Sequence, residues 1–291
     1  MQESISHGRR SRLKAAPTSE HFCRYQLRWS FLFETICWRL GMRLQDKVAL
    51  VTGAAQGLGA AIARRFGREG AQVFVGDLKE SEGSAFAAQL KAEGVNAWFV
   101  RLDVASEESW VRSCEMVIAK AGRLDVLVNN AGINIRQPIE EMSVESLDLM
   151  LAVNVRGPFL GIKHALPLMR KAGGGSIINM GSVCSIIGHK FTPEAYTTVK
   201  GALAQLTKSV AVRYAKDNIR ANILCPSTVE TPLVQEMLKN PERRTERLGE
   251  VPLGRLASLD DVANAALYLA SDEAAFINGV AFPVDGGVTA W

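Results

Sequence analysis

The sequence predicts an α/β fold, with one doubly wound, seven-stranded parallel sheet in a single domain. Short apolar runs alternate with amphipathic stretches from residue 47 onward, which is typical of right-handed βαβ units. The runs are apolar at successive positions rather than at every second one, which indicates strands buried on both faces. With 291 residues, 47% of them hydrophobic, the chain is long enough to bury such a core.

Each strand is predicted from an apolar run, and each helix from the amphipathic stretch that follows it. The expected strands are Val48–Val51, Gln72–Gly76, Ala97–Leu102, Val126–Val128, Ser176–Met180, Ile219–Leu224 and Val280–Val284. The expected helices span residues 58–69, 80–93, 106–121, 143–171, 194–216 and 260–270. Between the last helix and the strand before it, residues 231–255 are rich in charge, Pro and Gly. We therefore expect a lid near residues 227–255.

The first 41 residues are expected to lie outside this domain, which is predicted to span residues 42–291. They combine several Arg residues with an aromatic run from Trp29 to Trp38 and show no regular periodicity. Met42 directly precedes the segment that leads into the first strand. The extension is therefore expected to be disordered, or to result from a start site assigned too far upstream. A targeting peptide or a surface-binding segment is the alternative.

Charge and cysteine content argue against several classes of function. The formal charge of +4 arises within residues 1–41, because residues 42–291 contain 27 basic and 27 acidic residues. Without a basic patch, nucleic acid is not an expected partner. No uncharged apolar run reaches the ~18 to 20 residues of a membrane span. The five cysteines show no C-x-x-C spacing, which predicts no metal site and a cytoplasmic location.

The segment Thr52–Gly59 follows the first strand and predicts a phosphate-binding turn. Gly53 permits a tight turn, Gly57 lets the backbone approach a pyrophosphate, and Gly59 allows close packing of the helix. The start of the helix supplies free N–H groups and a partial positive charge. A glycine-rich turn without a ligand is the alternative.

Asp77, at the end of the second strand, predicts the type of nucleotide. An acid at this position can bind both ribose hydroxyls of NAD and repels the 2′-phosphate of NADP. The loop residues 54–56 carry no Arg or Lys. NAD is therefore expected rather than NADP, although Lys79 lies near enough to favour the alternative. Asp77 is otherwise an ordinary strand-end turn residue.

Tyr196 and Lys200 are four residues apart and therefore share one face of the helix 194–216. A nearby ammonium favours the phenolate form of a tyrosine, which makes the pair a candidate acid and base. The alternative is an amphipathic helix with a packed tyrosine and a solvated lysine.

Together these residues resemble the short-chain dehydrogenase/reductase family, over residues 44–291. The motifs that carry the resemblance are T-G-x-x-x-G-x-G at Thr52–Gly59, D-V at Asp103 and Val104, N-N-A-G at Asn129–Gly132, Tyr196 with Lys200, Pro226 with Thr231, and V-D-G-G at Val284–Gly287. The resemblance implies a Rossmann-like fold and a catalytic tetrad of Asn154, Ser182, Tyr196 and Lys200.

In the implied mechanism, Tyr196 removes a hydroxyl proton while hydride passes from the same carbon to the nicotinamide. Lys200 lowers the pKa of Tyr196 and binds the nicotinamide ribose, Ser182 holds the substrate oxygen, and Asn154 positions a proton-relaying water. Pro158 adds local support, because a proline in a long helix frees the carbonyl four residues back, which belongs to Asn154.

The resemblance also implies a set of cofactor contacts, a substrate class and an assembly. The contacts are Gly53, Gln56, Gly57, Leu58, Gly59, Asp77, Leu78, Asp103, Val104, Asn130, Ala131, Gly132, Tyr196, Lys200, Pro226, Val229 and Thr231. The expected partner is a small secondary alcohol or ketone: a sugar, a diol or a cyclic alcohol. The expected assembly is a homotetramer formed through the helices 143–171 and 194–216 and the C-terminus.

Two alternative functions remain. A 3-ketoacyl-thioester reductase using NADPH is the second enzymatic interpretation, and an inactive NAD-binding regulator is a more distant one. Enoyl reductases of the family are disfavoured by the same resemblance, because their motif has the lysine seven residues after the tyrosine, and here it lies four residues after.

Two departures from the family pattern affect particular residues. Ser227 replaces the glycine that usually follows Pro226, and the loop between Ser182 and Tyr196 is one residue longer than usual, which makes Ser185 a competing catalytic serine.

The substrate is expected to contact Ile133–Gln137, Val183–Pro193 and the lid. Arg136, His189 and Lys190 could attract an anionic substrate, although solvated charges at loop edges are the more ordinary interpretation.

Overall fold

The computed structural model describes residues 41–290, so the predictions for residues 1–40 lie outside the described residues. Its sheet has seven parallel strands in the order β3-β2-β1-β4-β5-β6-β7, which confirms the predicted fold class. The strands are β1 (Val48–Thr52), β2 (Gln72–Asp77), β3 (Ala97–Arg101), β4 (Val126–Asn129), β5 (Gly175–Met180), β6 (Ile219–Pro226) and β7 (Ala281–Val284). The predicted strand ends agree with these within two residues.

The helices connect the strands and cover both faces of the sheet. They are α1 (Gly57–Arg68), α2 (Glu80–Ala92), α3 (Glu107–Ala121), α4 (Val144–Leu151), α5 (Gly157–Ala172), α6 (Glu194–Tyr214), α7 (Pro232–Met237), α8 (Pro241–Gly249) and α9 (Leu259–Ala270). Within residues 41–290, none of them is both long enough and apolar enough to cross a membrane.

Two apolar cores hold the helices against the sheet, one on each face. Helices α1, α2 and α9 pack on one face, where Phe66 and Leu267 are fully buried. Helices α3, α5 and α6 pack on the other face, where Trp110 is fully buried and its indole N–H donates to the Val104 carbonyl at 2.9 Å. Helices on both faces explain why the strands are apolar at successive positions.

The single helix expected over residues 143–171 is wrong, because a π-helical turn at Ala152–Arg156 separates α4 from α5. Pro158 has no N–H to donate to the Asn154 carbonyl, so the ordinary α pattern is broken there. The Gly157 N–H donates instead to the Ala152 carbonyl, five residues back. This turn contains Asn154 and corresponds to the irregularity that Pro158 predicts.

The expected lid region contains two helices that the sequence pattern does not predict. Helix α7 begins at a capping threonine, Thr231, whose hydroxyl accepts the Val234 N–H at 3.3 Å. Helix α8 begins after Asn240, which accepts two backbone N–H groups in its first turn. Charged and polar residues dominate α8, so its sequence carries little apolar periodicity.

A buried polar network joins the centre of the sheet to α6. The Asn129 amide donates to Asn179 Oδ1 at 2.8 Å, and the Asn179 amide donates to the Thr207 hydroxyl at 2.9 Å. Thr207 in turn donates to the Leu203 carbonyl at 2.7 Å. All these polar side chains are buried. The network therefore fixes α6 against β4 and β5 by bonds that water cannot replace.

We expect Asn179→Ala to lower the free energy of unfolding by about 2 to 4 kcal/mol, because it leaves the buried Asn129 amide without its acceptor and removes the donor to the Thr207 hydroxyl. Urea unfolding followed by circular dichroism measures the loss. Gln89→Ala is the control, since the Gln89 amide donates only to Glu93 on an exposed helix. A loss no larger than that of the control would contradict a stabilising role for the network.

Candidate active site

The candidate site lies at the carboxyl ends of β1 and β4, where the strand order reverses direction. Ligands of doubly wound sheets bind at this point. A groove of about 700 Å³ runs over the loop after β1, and a second cavity of about 440 Å³ lies beside α6. The two cavities share Leu58, Asn130, Gly132, Ile133 and Thr231. They therefore form adjoining parts of one site.

The glycine-rich loop has the geometry that a diphosphate needs. Gly53 and Gly57 adopt φ angles of 63° and 58°, a region in which residues with a side chain are strained. A Cβ atom on Gly59 would lie 2.3 Å from the Gly53 carbonyl oxygen, so this position allows no side chain. The start of α1 has no side-chain cap and no acidic residue in its first turn. Its N–H groups can therefore bind an anion.

Asp77 lies on the wall of the groove and also supports the glycine-rich loop. One carboxylate oxygen accepts the Ala55 N–H at 2.9 Å, and the other accepts the Lys79 N–H at 3.0 Å. Each carboxylate oxygen has a second lone pair that can accept a ribose hydroxyl. The groove is also lined by further predicted contacts: Gln56, Leu78, Asp103, Val104 and Ala131.

The loop after β4 is fastened to the glycine-rich loop by side-chain hydrogen bonds. The Asn130 amide donates to the carbonyls of Thr52 and Gly53, at 2.9 and 3.1 Å. The Thr52 hydroxyl accepts the N–H groups of Asn130 and Ala131, at 3.0 and 2.9 Å. These bonds fix the distance between the groove and the second cavity.

Asn154 is buried in the π-helical turn, and its side chain holds the next part of the loop after β4. Its Oδ1 accepts the Ile133 N–H at 3.2 Å, and its Nδ2 donates to the carbonyls of Ile133 and Met150, at 3.0 and 2.9 Å. Both amide hydrogens are therefore used. A proton-relaying water at Asn154 would need its remaining Oδ1 lone pair or its backbone carbonyl.

Lys200 is almost fully buried, with 4% of its surface exposed. Its ammonium donates to the Met180 carbonyl at 2.7 Å and lies 5.5 Å from the centre of the Tyr196 ring. Burial lowers the pKa of Lys200 to about 8, because the charged form is poorly solvated. The side chain can therefore gain or lose a proton close to neutral pH.

The expected lowering of the Tyr196 pKa by Lys200 is not seen in this structure. Burial raises the pKa of Tyr196 to about 12, with a further increase from the Cys184 thiol. A hydrogen bond from Ser182 and the positive charge of Arg136 lower it again, by less. Burial thus outweighs the charges near the phenol. The sequence-based prediction considered spacing alone, which carries no information on burial.

Ser182 and its competitor Ser185 have different positions. Ser182 lines the second cavity together with Tyr196, Lys200 and Asn154. Ser185 is not among the described residues that line it, and its hydroxyl accepts the Ser182 N–H at 3.3 Å. The Ser182 hydroxyl accepts the Cys184 N–H at 3.3 Å, so the two serines together form a capping box at the short turn Val183–Ser185. Ser182 is the one that also interacts with the Tyr196 phenol.

The segment after β6 forms another wall of the second cavity. Pro226, Val229 and Thr231, which the family resemblance implies as cofactor contacts, line it, and of the three Thr231 also lines the groove. Ser227 lines it as well, and its hydroxyl is buried without a hydrogen-bond partner in the described part of the chain. Ser227 stands where the family pattern has a glycine, so its hydroxyl adds a polar atom to this wall of the cavity.

Four further charged or titratable side chains, from two loops and from the expected lid region, line the second cavity: Arg136, His189, Arg247 and Glu250. Arg247 and Glu250 were not predicted, because their charge-rich segment gave no signal that separates cavity from solvent. Lys190 instead lies over the Phe191 ring at 4.4 Å. Among residues 41–290, no three His, Cys, Asp or Glu side chains cluster as metal ligands would.

Comparison with known proteins places this geometry in a family. A family model described as enoyl-(acyl carrier protein) reductase matches residues 53–289. A cyclopentanol dehydrogenase from Comamonas testosteroni is 40% identical over 248 residues, which cover 85% of this chain and 99% of that protein. The chain belongs to the short-chain dehydrogenase/reductase family. It is therefore an oxidoreductase that acts on CH–OH groups.

Two further relatives of this short-chain dehydrogenase/reductase agree with the assignment. A 2,5-dichloro-2,5-cyclohexadiene-1,4-diol dehydrogenase from Sphingobium indicum is 41% identical, over 84% of this chain and 97% of that protein. The crystal structure of a gluconate 5-dehydrogenase from Burkholderia cenocepacia, in complex with NADP and tartrate, superposes with a TM-score of 0.82. It is 32% identical and covers 86% of this chain and 98% of that one.

The lowered pKa of Lys200 predicts a pH-dependent stability. Between pH 8 and the ordinary lysine pKa near ~10.5, the folded protein releases this proton while the unfolded chain keeps it, so stability rises with pH. Relative to Lys200→Met, wild-type stability should increase by about 2 kcal/mol from pH 7.5 to pH 10.

Urea unfolding at a series of pH values measures this difference. Lys208→Met is the control, because Lys208 lies on the same helix and is exposed. Parallel stability curves for wild type and Lys200→Met would contradict a lowered pKa at Lys200.

Proposed function

We propose that this chain is an NAD-dependent dehydrogenase of small alicyclic secondary alcohols. The observation that carries the proposal is the position of Ser182 and Tyr196 in a cavity that adjoins the groove of the glycine-rich loop. An alcohol held by these two hydroxyl groups would lie beside the end of a dinucleotide in that groove. The names of the relatives, which act on a cyclopentanol and on a cyclohexadienediol, favour an alicyclic substrate.

The second cavity, here named the substrate cavity, has an apolar wall that suits a hydrocarbon ring. Val183, Cys184, Val251, Leu256 and Val288 form a buried cluster. Tyr196 packs against this cluster from α6. A cyclic alcohol can therefore bury its ring on the valines and direct its hydroxyl group to the phenol.

The groove residues fit a nicotinamide dinucleotide. The uncapped start of α1 would hold the diphosphate, Asp77 the adenosine ribose, and Lys200 the second ribose. When bound, NAD supplies the hydride acceptor. NAD is proposed over NADP because a 2′-phosphate beside the Asp77 carboxylate would be repelled. NADP is the alternative, since the Burkholderia cenocepacia protein binds it and Lys79 lines the groove here.

Within the cavity, the proton of the alcohol would pass to Tyr196. Ser182 donates to or accepts from the substrate oxygen and interacts with the phenol. Lys200, with a pKa of about 8, can exchange a proton near neutral pH. Asn154 positions the loop after β4 through its hydrogen bonds with Ile133. Its remaining Oδ1 lone pair or its backbone carbonyl is proposed to hold a water that relays protons.

The two rival functions are less well supported. The relatives named above are alcohol and diol dehydrogenases, which disfavours a 3-ketoacyl-thioester reductase. An inactive NAD-binding regulator is disfavoured because Ser182, Tyr196 and Lys200 line one cavity with Asn154. The test is the rate of NADH formation at 340 nm with cyclopentanol, cyclohexanol, a sugar and a linear secondary alcohol. No NADH with any alcohol, or NADPH formation alone, would overturn the proposal.

Homotetramer formation and a cytoplasmic location remain proposals. Leu149 and Phe159, on α4 and α5, are 51% and 54% exposed, and an interface between copies of the chain would bury them. Multi-angle light scattering measures the assembly.

The cytoplasmic location rests on the cysteine pattern; the described cysteines, Cys114, Cys184 and Cys225, are free thiols. A domain beginning near residue 42, preceded by a separate extension, is likewise proposed.

Tyr196→Phe should lower kcat by at least about 1,000-fold while the Kd for NAD stays within about twofold, because only the proton carrier is removed. Stopped-flow or steady-state NADH absorbance gives kcat, and quenching of tryptophan fluorescence gives the Kd. Tyr268→Phe is the matched control, since Tyr268 lies on α9, packed on the sheet. Substantial residual turnover in Tyr196→Phe would show that another group carries the proton.

Asp77→Asn should shift the preference between cofactors toward NADP by about 10- to 100-fold in kcat/KM, because it removes the charge that repels a 2′-phosphate. The amide keeps one oxygen that can accept a backbone N–H. Glu80→Gln removes an equal charge from an exposed neighbour. If both variants shift the ratio equally, Asp77 has no specific role in the choice of cofactor.

A further inference from the structure

One part of the substrate cavity carries an excess of positive charge. Apart from Lys200, its charged lining residues are Arg136, Arg247 and Glu250, and His189 lies beside them. The lining of this part therefore contains two guanidinium groups, one imidazole and one carboxylate. Since the Val183, Val251 and Val288 side chains line the same cavity, its surface is apolar in one part and basic in another. A ligand that matches both has an apolar body and an acidic group.

Arg247 is the most informative of these residues, because its side chain is only 10% exposed. It lies on α8, whose other arginines, Arg243 and Arg244, are exposed. Its guanidinium stacks over the Phe191 ring at 5.1 Å. Removing a guanidinium from water is costly unless it is paired and hydrogen-bonded. Because Arg247 is buried and lines the cavity, its guanidinium needs an anionic partner.

Glu250 is an anionic partner of Arg247, but the pair that they form is weak. Both of its carboxylate oxygens contact the same nitrogen, Nη1, at 3.3 and 3.4 Å. A strong pair between arginine and a carboxylate uses two nitrogens at about 2.7 to 2.9 Å. Glu250 is also shared with His189, whose Nε2 lies 3.6 Å from one of its oxygens. The edge of Arg247 formed by Nε and Nη2 is not engaged by Glu250.

We propose that the substrate carries an acidic group, and that Arg247 binds this group through the Nε and Nη2 edge of its guanidinium. The substrate class is then a cyclic secondary alcohol with a carboxylate or a similar anion on the ring. This inference rests on the proposed function and specifies the substrate of the same site. Arg247 is the residue that determines specificity, and Glu250 lowers the affinity for the anion by its own charge.

The competing role for Arg247 is purely structural. Its contacts with Phe191 and Glu250 join α8 to the loop before α6, and they could serve only to hold the lid. The two roles predict different results for Glu250→Gln. If Arg247 binds the substrate anion, removal of the Glu250 charge strengthens that binding. If Arg247 holds the lid, the same change weakens the site for every substrate.

The test compares two substrates that differ only in charge, 4-hydroxycyclohexanecarboxylate and 4-hydroxycyclohexanecarboxamide, on the full-length enzyme with NAD. The wild type should prefer the carboxylate by about 10- to 100-fold in kcat/KM, as expected for a hydrogen bond to a buried charged group. Arg247→Met should abolish this preference, so that the kcat/KM values for the two substrates differ by less than about threefold. Arg247→Lys should restore part of it, because charge returns without the planar fork.

Two further variants separate the local contact from general charge. Arg244→Met removes an equal charge from the exposed face of the same helix and should keep the preference unchanged. Glu250→Gln should raise the ratio of kcat/KM for the carboxylate to kcat/KM for the carboxamide by about 3- to 10-fold. Equal losses for both substrates in Arg247→Met and Glu250→Gln would establish the structural role and overturn the inference.

Binding of cyclohexanecarboxylate, measured by isothermal titration calorimetry with NAD present, separates this inference from the proposed function. Binding that is lost in Arg247→Met supports an anion site even if no alcohol is oxidised, an outcome that would refute the proposed function alone. Oxidation of neutral cyclic alcohols, with no preference for the carboxylate and no binding of cyclohexanecarboxylate, would refute the anion site alone.

Discussion

The loop after β4 is the constraint on which both halves of the site depend. It contacts the glycine-rich loop through Asn130 and the π-helical turn through Ile133. Gly132 lies between these two contacts, and a Cβ atom there would be 2.7 Å from Asn154 Oδ1 and 3.6 Å from Lys200 Nζ. The groove and the second cavity thus share one backbone segment. A displacement of this segment would change the proposed cofactor site and the surroundings of Lys200 together.

Burial is the second constraint, and it acts on the chemistry rather than on position. It raises the pKa of Tyr196 to about 12 and lowers the pKa of Lys200 to about 8. Both shifts favour the neutral forms, as expected for groups removed from water. If Tyr196 carries the proton as proposed, the transfer depends on groups that stabilise the phenolate in place. Ser182 and Arg136 are the two groups that lower the Tyr196 pKa in this structure.

The sequence predicts most of the fold because the strands of this parallel sheet are apolar at successive positions. The glycines of the first loop were predicted because the turn requires them, and Asp77 because it is a charged group at a strand end. Tyr196 and Lys200 were predicted from their spacing on one helix, whereas Asn154 and Ser182 were predicted through the family resemblance. Pro158 indicated an irregularity in this helix, but the sequence did not predict a π-helical turn. The reason is that the apolar period continues through the turn. Arg247 was missed because its helix contains several arginines, and only packing against Phe191 distinguishes this one. The raised pKa of Tyr196 was missed because burial is not visible in a four-residue spacing.

The central claim is that hydride passes from the carbon of a cyclic secondary alcohol directly to NAD in this cavity. Mass spectrometry of the NADH formed from cyclohexanol deuterated at the carbinol carbon tests it most directly. The account predicts that each NADH carries one deuterium from the substrate, because direct transfer admits no exchange with water. NADH without deuterium, or deuterium released to the solvent, would contradict the account.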